Sequence, residues 1–303
     1  MPDHALHLFS PHDVYDSPEG ASPKWDDFDT RFLAQGDSWF SIGAMPPWAT
    51  SNILQQLKFG FEASAINCAY PGRELAYMVD WKQDTGFSRL LAGNFAYKWN
   101  AILLSGGGND LIGAAGVLPR DADGKPLPQA SRLFLRQDEW GPPQQGAGRY
   151  LSAAGWETFA THLAPQFDAV IALRDSGVNR GVPLFCHAYA YPMPRNAPAS
   201  ELFHMGPWLY PAVIAYRIPA TDWLAVATEL IDRLAALLRA IVADLNRGGE
   251  RKVHLIETQR ALVPALPGSS GPSEDWENEI HPTPGGYAKL GALWRSAIEA
   301  QLG

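Results

Sequence analysis

Two residues far apart in the sequence have the chemistry of a nucleophile and its base. Ser38 ends the tripeptide Gly36-Asp37-Ser38, directly after an apolar strand-like run, and His281 lies in a loop before the last helical segment. A serine hydroxyl is a poor nucleophile until a nearby imidazole removes its proton. Ser38 and His281 could therefore act together in acyl transfer.

Acyl transfer also needs hydrogen-bond donors for the negatively charged oxygen of its tetrahedral intermediate. Gly72 follows the second strand-like run, and Asn109 follows the third, after three consecutive glycines. Glycine lets the backbone turn sharply or approach closely, so that an N–H group can face a ligand. The backbone N–H groups of Ser38 and Gly72 and the side-chain amide of Asn109 could supply three donors.

The elements that must position these residues are strands alternating with helices. Five nearly continuous apolar runs predict strands buried on both faces of a parallel sheet, at residues 32–35, 63–70, 100–107, 182–191 and 252–258. Helical patterns accompany them at residues 48–60, 72–81, 152–177 and 221–249. The alternation predicts a doubly wound α/β sandwich. Because ligands bind beyond the carboxyl ends of parallel strands, we expect the four catalytic segments at one edge of the sheet.

A single domain covering residues 1–303 is the simplest organisation for a chain of this length. Residues 117–150 and 192–220 do not fit the alternation and are rich in proline, so they predict two insertions. Long irregular insertions in a compact domain serve as binding loops or lids, or they decorate the surface without a function. Either interpretation fits these two segments.

Charge and hydropathy exclude several classes of function. The formal net charge of −8 argues against a nucleic-acid surface, which needs clustered Lys and Arg. Charges interrupt every apolar run before about 18 residues, so no membrane insertion is expected. The first residues lack the basic and apolar regions of a signal peptide, and Cys68 and Cys186 lie in apolar runs, as buried thiols do. These features predict a cytoplasmic protein that acts on a small molecule.

The usual motifs for metals and cofactors are missing from the sequence. No pair of histidines has the spacing of metal ligands. No phosphate-binding loop and no dinucleotide motif follows a strand-like run, and the G-x-S-x-G elbow of α/β-hydrolases does not occur. We therefore expect neither a metal nor a cofactor.

Four segments, in the order in which they occur, resemble the SGNH (GDSL-like) hydrolase family: Gly36-Asp37-Ser38, Gly72, Gly107-Gly108-Asn109-Asp110 and His281-Pro282. The resemblance implies a three-layer, flavodoxin-like α/β/α sandwich with a mostly parallel five-stranded sheet and inserted loops. It also implies an ester hydrolase with Ser38 as nucleophile and His281 as base. Ser38, Gly72 and Asn109 would form the oxyanion hole, and Asp37 would anchor the nucleophile loop.

The chain departs from the family pattern at one position. The family usually carries Asp three residues before the histidine, where this sequence has Asn278. Either the serine and histidine form a dyad oriented by Asn278 or a backbone carbonyl, or a carboxylate substitutes for the missing acid. The candidate carboxylates are Asp275, Glu277, Glu279 and the more distant Glu257. An amide oxygen would fix the imidazole tautomer but would add no negative charge.

The resemblance implies a serine esterase that cleaves carboxylic esters with short to medium acyl chains through an acyl-enzyme. A thioesterase, a carbohydrate deacetylase, an acyltransferase or a catalytically inactive acyl- or sugar-binding relative are the alternatives. Trp39, Phe40 and His187 could line the substrate pocket or belong to the core. The same two possibilities hold for Trp48, Tyr70 and residues 203–210.

Overall fold

Six parallel strands form the central sheet in the computed structural model, which describes residues 3–15, 23–42, 51–80, 82, 84–249 and 251–302. The strands in chain order are β1 (His4–Ala5), β2 (His7–Phe9), β3 (Thr30–Gly36), β4 (Lys58–Phe59), β5 (Ala63–Asn67), β6 (Ala101–Ser105), β7 (Leu184–His187) and β8 (Val253–Ile256). The order across the sheet is β2-β5-β3-β6-β7-β8, and β1 pairs separately with β4 as an antiparallel ribbon.

The predicted fold class is confirmed. Each of the five predicted runs forms a strand: four strands lie within their runs, and β3 extends beyond residues 32–35 at both ends. The sheet has a sixth strand that the sequence did not indicate, the edge strand β2. It is only three residues long and none of them is buried, so it leaves no apolar run in the sequence. β3 and β6 lie side by side near the middle, which brings their carboxyl ends together.

Eight helices flank the sheet within the described part of the chain. They are α1 (Pro11–Tyr15), α2 (Leu75–Val79), α3 (Thr85–Leu91), α4 (Gly108–Ala115), α5 (Ala153–Asp175), α6 (Tyr210–Ala215), α7 (Trp223–Leu245) and α8 (Pro284–Leu302). α2, α3, α4 and α7 each contact α5, whereas α8 contacts β4 and the 3-10 turn Leu54–Gln56. None of these helices is both long enough and apolar enough to cross a bilayer.

The helix predicted over residues 48–60 is wrong for the part that the structure describes. Residues 48–50 lie outside the described residues, and the remainder contains only the 3-10 turn Leu54–Gln56 followed by β4. Leu54, Leu57 and Phe59 are all buried. The last two face the core at a two-residue step, which is the period of a strand rather than of a helix.

The first predicted insertion, residues 117–150, is built around a buried arginine rather than around strands or helices. The Arg132 guanidinium donates to both Glu139 oxygens at 2.7 Å and to the carbonyl oxygens of Leu127 and Phe134 at 3.0 and 2.6 Å. Because the charge is paired and its donors have acceptors, it can be buried. The second insertion, residues 192–220, contains α6 and lies beside the loop that carries His281.

Gly155, in the first turn of α5, fixes how closely the first insertion packs. A Cβ atom at this position would lie 1.9 Å from the Arg132 carbonyl oxygen and 2.9 Å from that of Gln129. Replacing glycine by alanine inside a helix normally stabilises it by up to about 1 kcal/mol. Here we expect Gly155→Ala to lower the free energy of unfolding by about 1–3 kcal/mol, because the insertion must move away.

Thermal denaturation followed by circular dichroism measures this effect. Gly285→Ala is the matched control, since Gly285 lies in the first turn of α8 and its nearest atom would be 3.8 Å from the new Cβ. The control should melt at or above the wild-type temperature. Equal melting temperatures for the two variants would contradict the packing described here.

Candidate active site

Ser38 lies in the turn that follows β3, held there by the neighbouring strand β6. The Asp37 N–H donates to the Ser105 carbonyl oxygen at 3.1 Å. Gly36 allows the two strand ends to come this close, because a Cβ on it would lie 2.8 Å from the Cβ of Ser105. The turn therefore presents Ser38 at the carboxyl edge of the sheet, as the sequence predicted for a parallel arrangement.

The hydroxyl of Ser38 is hydrogen bonded to His281, which is 243 residues away in the sequence. The Ser38 Oγ and the His281 Nε2 are 2.7 Å apart, and the His281 Nδ1 is 2.9 Å from the Asn278 Oδ1. Ser38, His281 and Asn278 are 7%, 3% and 2% exposed. The three side chains thus form one continuous hydrogen-bonded chain, largely shielded from solvent.

The Asn278 side chain determines which imidazole nitrogen carries the proton. Its Oδ1 also accepts hydrogen bonds from the backbone N–H groups of Ile280 and His281, at 3.2 and 3.0 Å. The atom facing His281 must then be the oxygen rather than the amide nitrogen, so the His281 Nδ1 is the donor. The Nε2 is left unprotonated and can accept the proton of Ser38.

None of the four carboxylates that the sequence left open accepts a hydrogen bond from His281 within the described residues. Asp275 binds Lys289 at 2.6 Å and the Val263 N–H at 2.8 Å. Glu257 binds Arg239 on the exposed surface. Glu277 contacts His281 through its backbone N–H, which donates to the His281 carbonyl oxygen. The buried Glu279 accepts hydrogen bonds from the backbone N–H groups of residues 195 and 208–210. Asn278 is the side chain in contact with the imidazole Nδ1.

Burial controls the ionisation of His281. The ring is enclosed, and desolvation lowers its pKa to about 3. The neutral amide of Asn278 supplies no charge that would favour the imidazolium. Since the pKa lies well below the ordinary value, the imidazole is neutral and able to accept a proton throughout the neutral pH range.

Gly72 and Asn109 lie in the same cleft as Ser38 and His281. This open cleft has a volume of about 220 Å³ and all four residues line it. Gly72 adopts a φ of +74°, a conformation that favours glycine. In the described part of the chain, the N–H groups of Ser38 and Gly72 have no acceptor. The Asn109 amide uses one proton on the Arg73 carbonyl oxygen, at 3.1 Å, and keeps the second available.

The glycines before Asn109 are needed for packing and backbone conformation. Gly107, with a φ of +97°, is the N-cap residue of α4, and Asn109 therefore lies in the first turn instead of at the cap position itself. Gly108 faces the ring of Tyr189, whose Cζ would be 2.4 Å from a Cβ at that position. A side chain at position 108 would displace either α4, which carries Asn109, or Tyr189.

A buried polar network beneath the turn that carries Ser38 was not predicted from the sequence. One Asp37 oxygen accepts from the Tyr189 hydroxyl at 2.5 Å, and the other accepts from the Ser105 hydroxyl at 2.8 Å. Ser105 also lies 3.0 Å from the Nε2 of His187. Burial raises the pKa of Asp37 to about 6, although these hydrogen bonds oppose the shift. The only sequence signal was the polar residue at the end of each apolar run, Ser105 and Tyr189.

The three residues proposed for the substrate pocket lie in two environments. Trp39 lines a narrow cavity that begins at Ser38, and its indole N–H donates to the Ile280 carbonyl oxygen at 3.2 Å. Phe40 and His187 are both fully buried and pack on Trp294 of α8, so they belong to the core rather than to either cavity at Ser38. Trp48 lies outside the described residues, and Tyr70 is 61% exposed.

The narrow cavity is formed by apolar side chains that the sequence did not single out. It has a volume of about 40 Å³ and runs from Ser38 and Asn109 between α4 and α7. Its apolar lining includes Leu111, Ile112, Leu209, Ala227, Leu230 and Ile231. The α7 residues were predicted only as part of a helical pattern over residues 221–249. The same periodicity fits a helix that packs on a sheet and one that walls a cavity.

Comparison with solved structures finds similar chains at low sequence identity. A lipase from a goat rumen metagenome is 14% identical and aligns over 90% of this chain and 100% of its own, with a TM-score of 0.50. A GDSL-like lipase from Bacteroides thetaiotaomicron is 13% identical and aligns over 89% of this chain and 88% of its own, with a TM-score of 0.40. An SGNH hydrolase from Slackia heliotrinireducens is 13% identical and aligns over 89% of this chain and 98% of its own, with a TM-score of 0.41. No protein-family model and no curated protein matches the sequence. The fold predicted from the sequence is thus shared with the goat rumen lipase.

Tyr189→Phe tests whether the buried network supports the turn that carries Ser38. The variant leaves one oxygen of Asp37 buried without a donor, which should cost about 1–3 kcal/mol of unfolding free energy. It should also raise the pKa of Asp37 further, because the lost bond favours the charged form. The pKa of Asp37 in the folded protein, about 6, already lies above its pKa in the unfolded chain. Its contribution to stability is therefore greatest at low pH and falls as the pH rises through about 6.

We therefore expect the melting temperature of Tyr189→Phe to fall further below wild type at pH 8 than at pH 5. Tyr191→Phe is the matched control, since the Tyr191 hydroxyl donates to Asp232 at the same 2.5 Å distance but on the partly exposed surface. A deficit that does not depend on pH, or one that the control reproduces, would rule out the proposed role of Asp37 and Tyr189.

Proposed function

We propose that this protein is a serine ester hydrolase of the SGNH kind, which cleaves carboxylic esters through an acyl-enzyme. The observation that carries the proposal is the 2.7 Å hydrogen bond between the Ser38 Oγ and the His281 Nε2, in a cleft that Gly72 and Asn109 also line. A nucleophile, an oriented base and free hydrogen-bond donors around one cavity are the parts that acyl transfer requires.

In the first step, the Ser38 Oγ attacks the carbonyl carbon of the ester, and its proton passes to the His281 Nε2. The carbonyl π bond opens, and its oxygen carries the negative charge of the tetrahedral intermediate. The N–H groups of Ser38 and Gly72 and the free amide proton of Asn109 stabilise that oxygen. Losing one such donor typically costs about 10²- to 10³-fold in kcat.

In the second step, the intermediate collapses and the bond to the alcohol oxygen breaks. The His281 Nε2 returns its proton to the departing oxygen, which leaves as a neutral alcohol. A water molecule then gives a proton to the same nitrogen and attacks the acyl carbon. The bond between that carbon and the Ser38 Oγ breaks, the Nε2 returns the proton to the Oγ, and the carboxylic acid leaves. Asn278 accepts from the Nδ1 throughout and keeps the imidazole in one tautomer.

The two cavities at Ser38 suggest how the ester is oriented. His281 protonates the departing alcohol and lines only the open cleft, so the alcohol portion would lie in that cleft and leave toward solvent. The acyl portion stays attached to Ser38 and would occupy the narrow apolar cavity. The volume of this cavity is small, about 40 Å³, compared with about 220 Å³ for the open cleft. This size favours a short acyl group.

Labelling with a fluorophosphonate and hydrolysis of p-nitrophenyl esters test the proposal. We expect the wild type to be labelled and to hydrolyse acetate and butyrate esters faster than octanoate. Ser38→Ala should abolish labelling and lower kcat by about 10⁴-fold or more, because the nucleophile is absent. Ser176→Ala, which alters an exposed serine after α5, is the matched control and should behave as wild type.

Two results would contradict this function. A wild-type protein that is neither labelled nor able to hydrolyse any ester of the series would be an inactive relative. Hydrolysis that persists in Ser38→Ala would place the reaction elsewhere in the molecule. A faster reaction with octanoate than with acetate would leave the esterase function standing but overturn the assignment of the narrow cavity.

The pH dependence of kcat/KM tests the neutral partner of His281. Because burial lowers the pKa of His281 to about 3, we expect kcat/KM to stay level from pH 8 to well below 6.5, the ordinary histidine value. Asn278→Asp places a carboxylate beside the Nδ1, which raises the pKa of His281 and moves the acidic limb upward by about 1 unit or more. The added charge also stabilises the imidazolium, so kcat at pH 8 should rise roughly tenfold, equivalent to about 1.4 kcal/mol.

Asn278→Ala is the companion variant, since it removes the acceptor without adding a charge. Its kcat should fall by about 10²-fold or more, because the imidazole loses its tautomer and orientation. If the aspartate variant is unchanged or slower and keeps the wild-type acidic limb, another group must orient His281.

A further inference from the structure

Glu279 is a fully buried carboxylate two residues before His281 and does not touch the imidazole. It belongs to the loop between β8 and α8, and its backbone N–H donates to the Ala197 carbonyl oxygen at 2.9 Å. Its side chain enters the second insertion, residues 192–220. The sequence indicates Glu279 only as a substitute for the missing catalytic acid.

The Glu279 carboxylate binds two separate segments of the insertion through backbone N–H groups. One oxygen accepts from Tyr210 at 2.7 Å and from Arg195 at 3.2 Å. The other accepts from Leu209 at 2.9 Å and from Trp208 in a short hydrogen bond. Four donors from two segments thirteen residues apart therefore converge on a single side chain, at the start of α6.

Arg195 makes a second connection between the insertion and the catalytic loop. Its guanidinium donates to the Asn278 carbonyl oxygen at 2.7 Å and to carbonyl oxygens of Gly271 and Ser269. The carboxylate of Glu279 thus holds the insertion backbone, while the insertion's arginine holds the backbone of the residue that orients His281. Each segment supplies a buried charge to the other.

The insertion carries Trp208 to the catalytic histidine. The Trp208 and His281 rings meet edge to face, with centroids 5.1 Å apart and an interplanar angle of 80°. Trp208 lines the open cleft together with Met205 and Gly206, on the side where the alcohol portion would lie. Trp208, whose backbone N–H is bound by Glu279, therefore forms part of the wall on this side of the cleft.

We propose that Glu279 is a positioning residue that clamps residues 195–210 onto the catalytic loop, and that Trp208, held by this clamp, selects the alcohol portion of the ester. The inference deepens the proposed esterase function and rests on it. Burial raises the pKa of Glu279 to about 7 against the four hydrogen bonds, so the site carries an electrostatic cost that a purely apolar packing residue would avoid.

Glu279→Gln tests the clamp, because the amide keeps the size of the side chain but turns one acceptor oxygen into a donor that faces N–H groups. With acetate as the common acyl group, we expect KM for phenyl and 2-naphthyl esters to rise about tenfold with little change in kcat. Methyl acetate, which does not reach Trp208, should be affected several-fold less. Trp208→Leu should reproduce this dependence on the alcohol without disturbing the clamp.

Glu139→Gln is the matched control. Glu139 is a carboxylate that binds two arginines and a backbone N–H in the first insertion, away from the cleft. It should lower the melting temperature without changing the relative KM values of the three esters. A loss shared equally by all three esters in Glu279→Gln would mean that the carboxylate has only a structural role, and would overturn the proposal.

Hydrogen exchange separates a failure of this inference from a failure of the esterase function. Glu279→Gln should increase backbone amide exchange in residues 195–215 and leave the β3 and β6 segments as in the wild type, whether or not any ester is hydrolysed. Unchanged exchange in residues 195–215 would overturn the clamp even if Ser38 is labelled. Absent labelling with increased exchange would leave the clamp intact and reject the esterase, and with it the selection by Trp208.

Discussion

The hydrogen bond between Ser38 and His281 is the interaction on which the candidate site depends. It joins the turn after the third strand to the loop before the last helix, across 243 residues of sequence. Its 2.7 Å length requires both ends to be fixed. The parallel sheet fixes the serine turn against Ser105, while Asn278 and the indole N–H of Trp39 fix the histidine loop. Loosening either end would change a distance that proton transfer requires to be short.

Keeping these ends rigid places several ionisable groups in the interior. Asp37, His187, Glu279 and His281 are all at least 97% buried, and each is held by specific partners or kept neutral. Asp37 and Glu279 accept hydrogen bonds on both oxygens, whereas burial lowers the pKa of His187 and of His281 to about 3. Low local dielectric makes such networks rigid when they are satisfied and costly when one partner is lost. The same burial keeps His281 unprotonated.

The two insertions contribute to the molecule in different ways. The first is organised by the Arg132–Glu139 pair and packs on Gly155 of α5, away from Ser38. The second is bound to the histidine loop by Glu279 and Arg195, and it brings Trp208 against His281. One side of the cleft is therefore made of chain that lies outside the sheet-and-helix framework. Changes there can alter the shape of the cleft while the strands that position Ser38 stay as they are.

The sequence by itself determined the fold class, five of the six sheet strands and the identity of Ser38, Gly72, Asn109 and His281 as candidates. Apolar runs and short motifs are local, and a parallel sheet brings its strand ends together wherever the chain is folded this way. The edge strand His7–Phe9 was too short and too exposed to leave such a signal. Only the tertiary structure decided between Asn278 and four nearby carboxylates, because that choice depends on which atom lies within 3 Å of an imidazole nitrogen. It likewise revealed Tyr189 beneath Asp37 and assigned Glu279 to the insertion, since these contacts join segments 70 to 152 residues apart that no periodicity links.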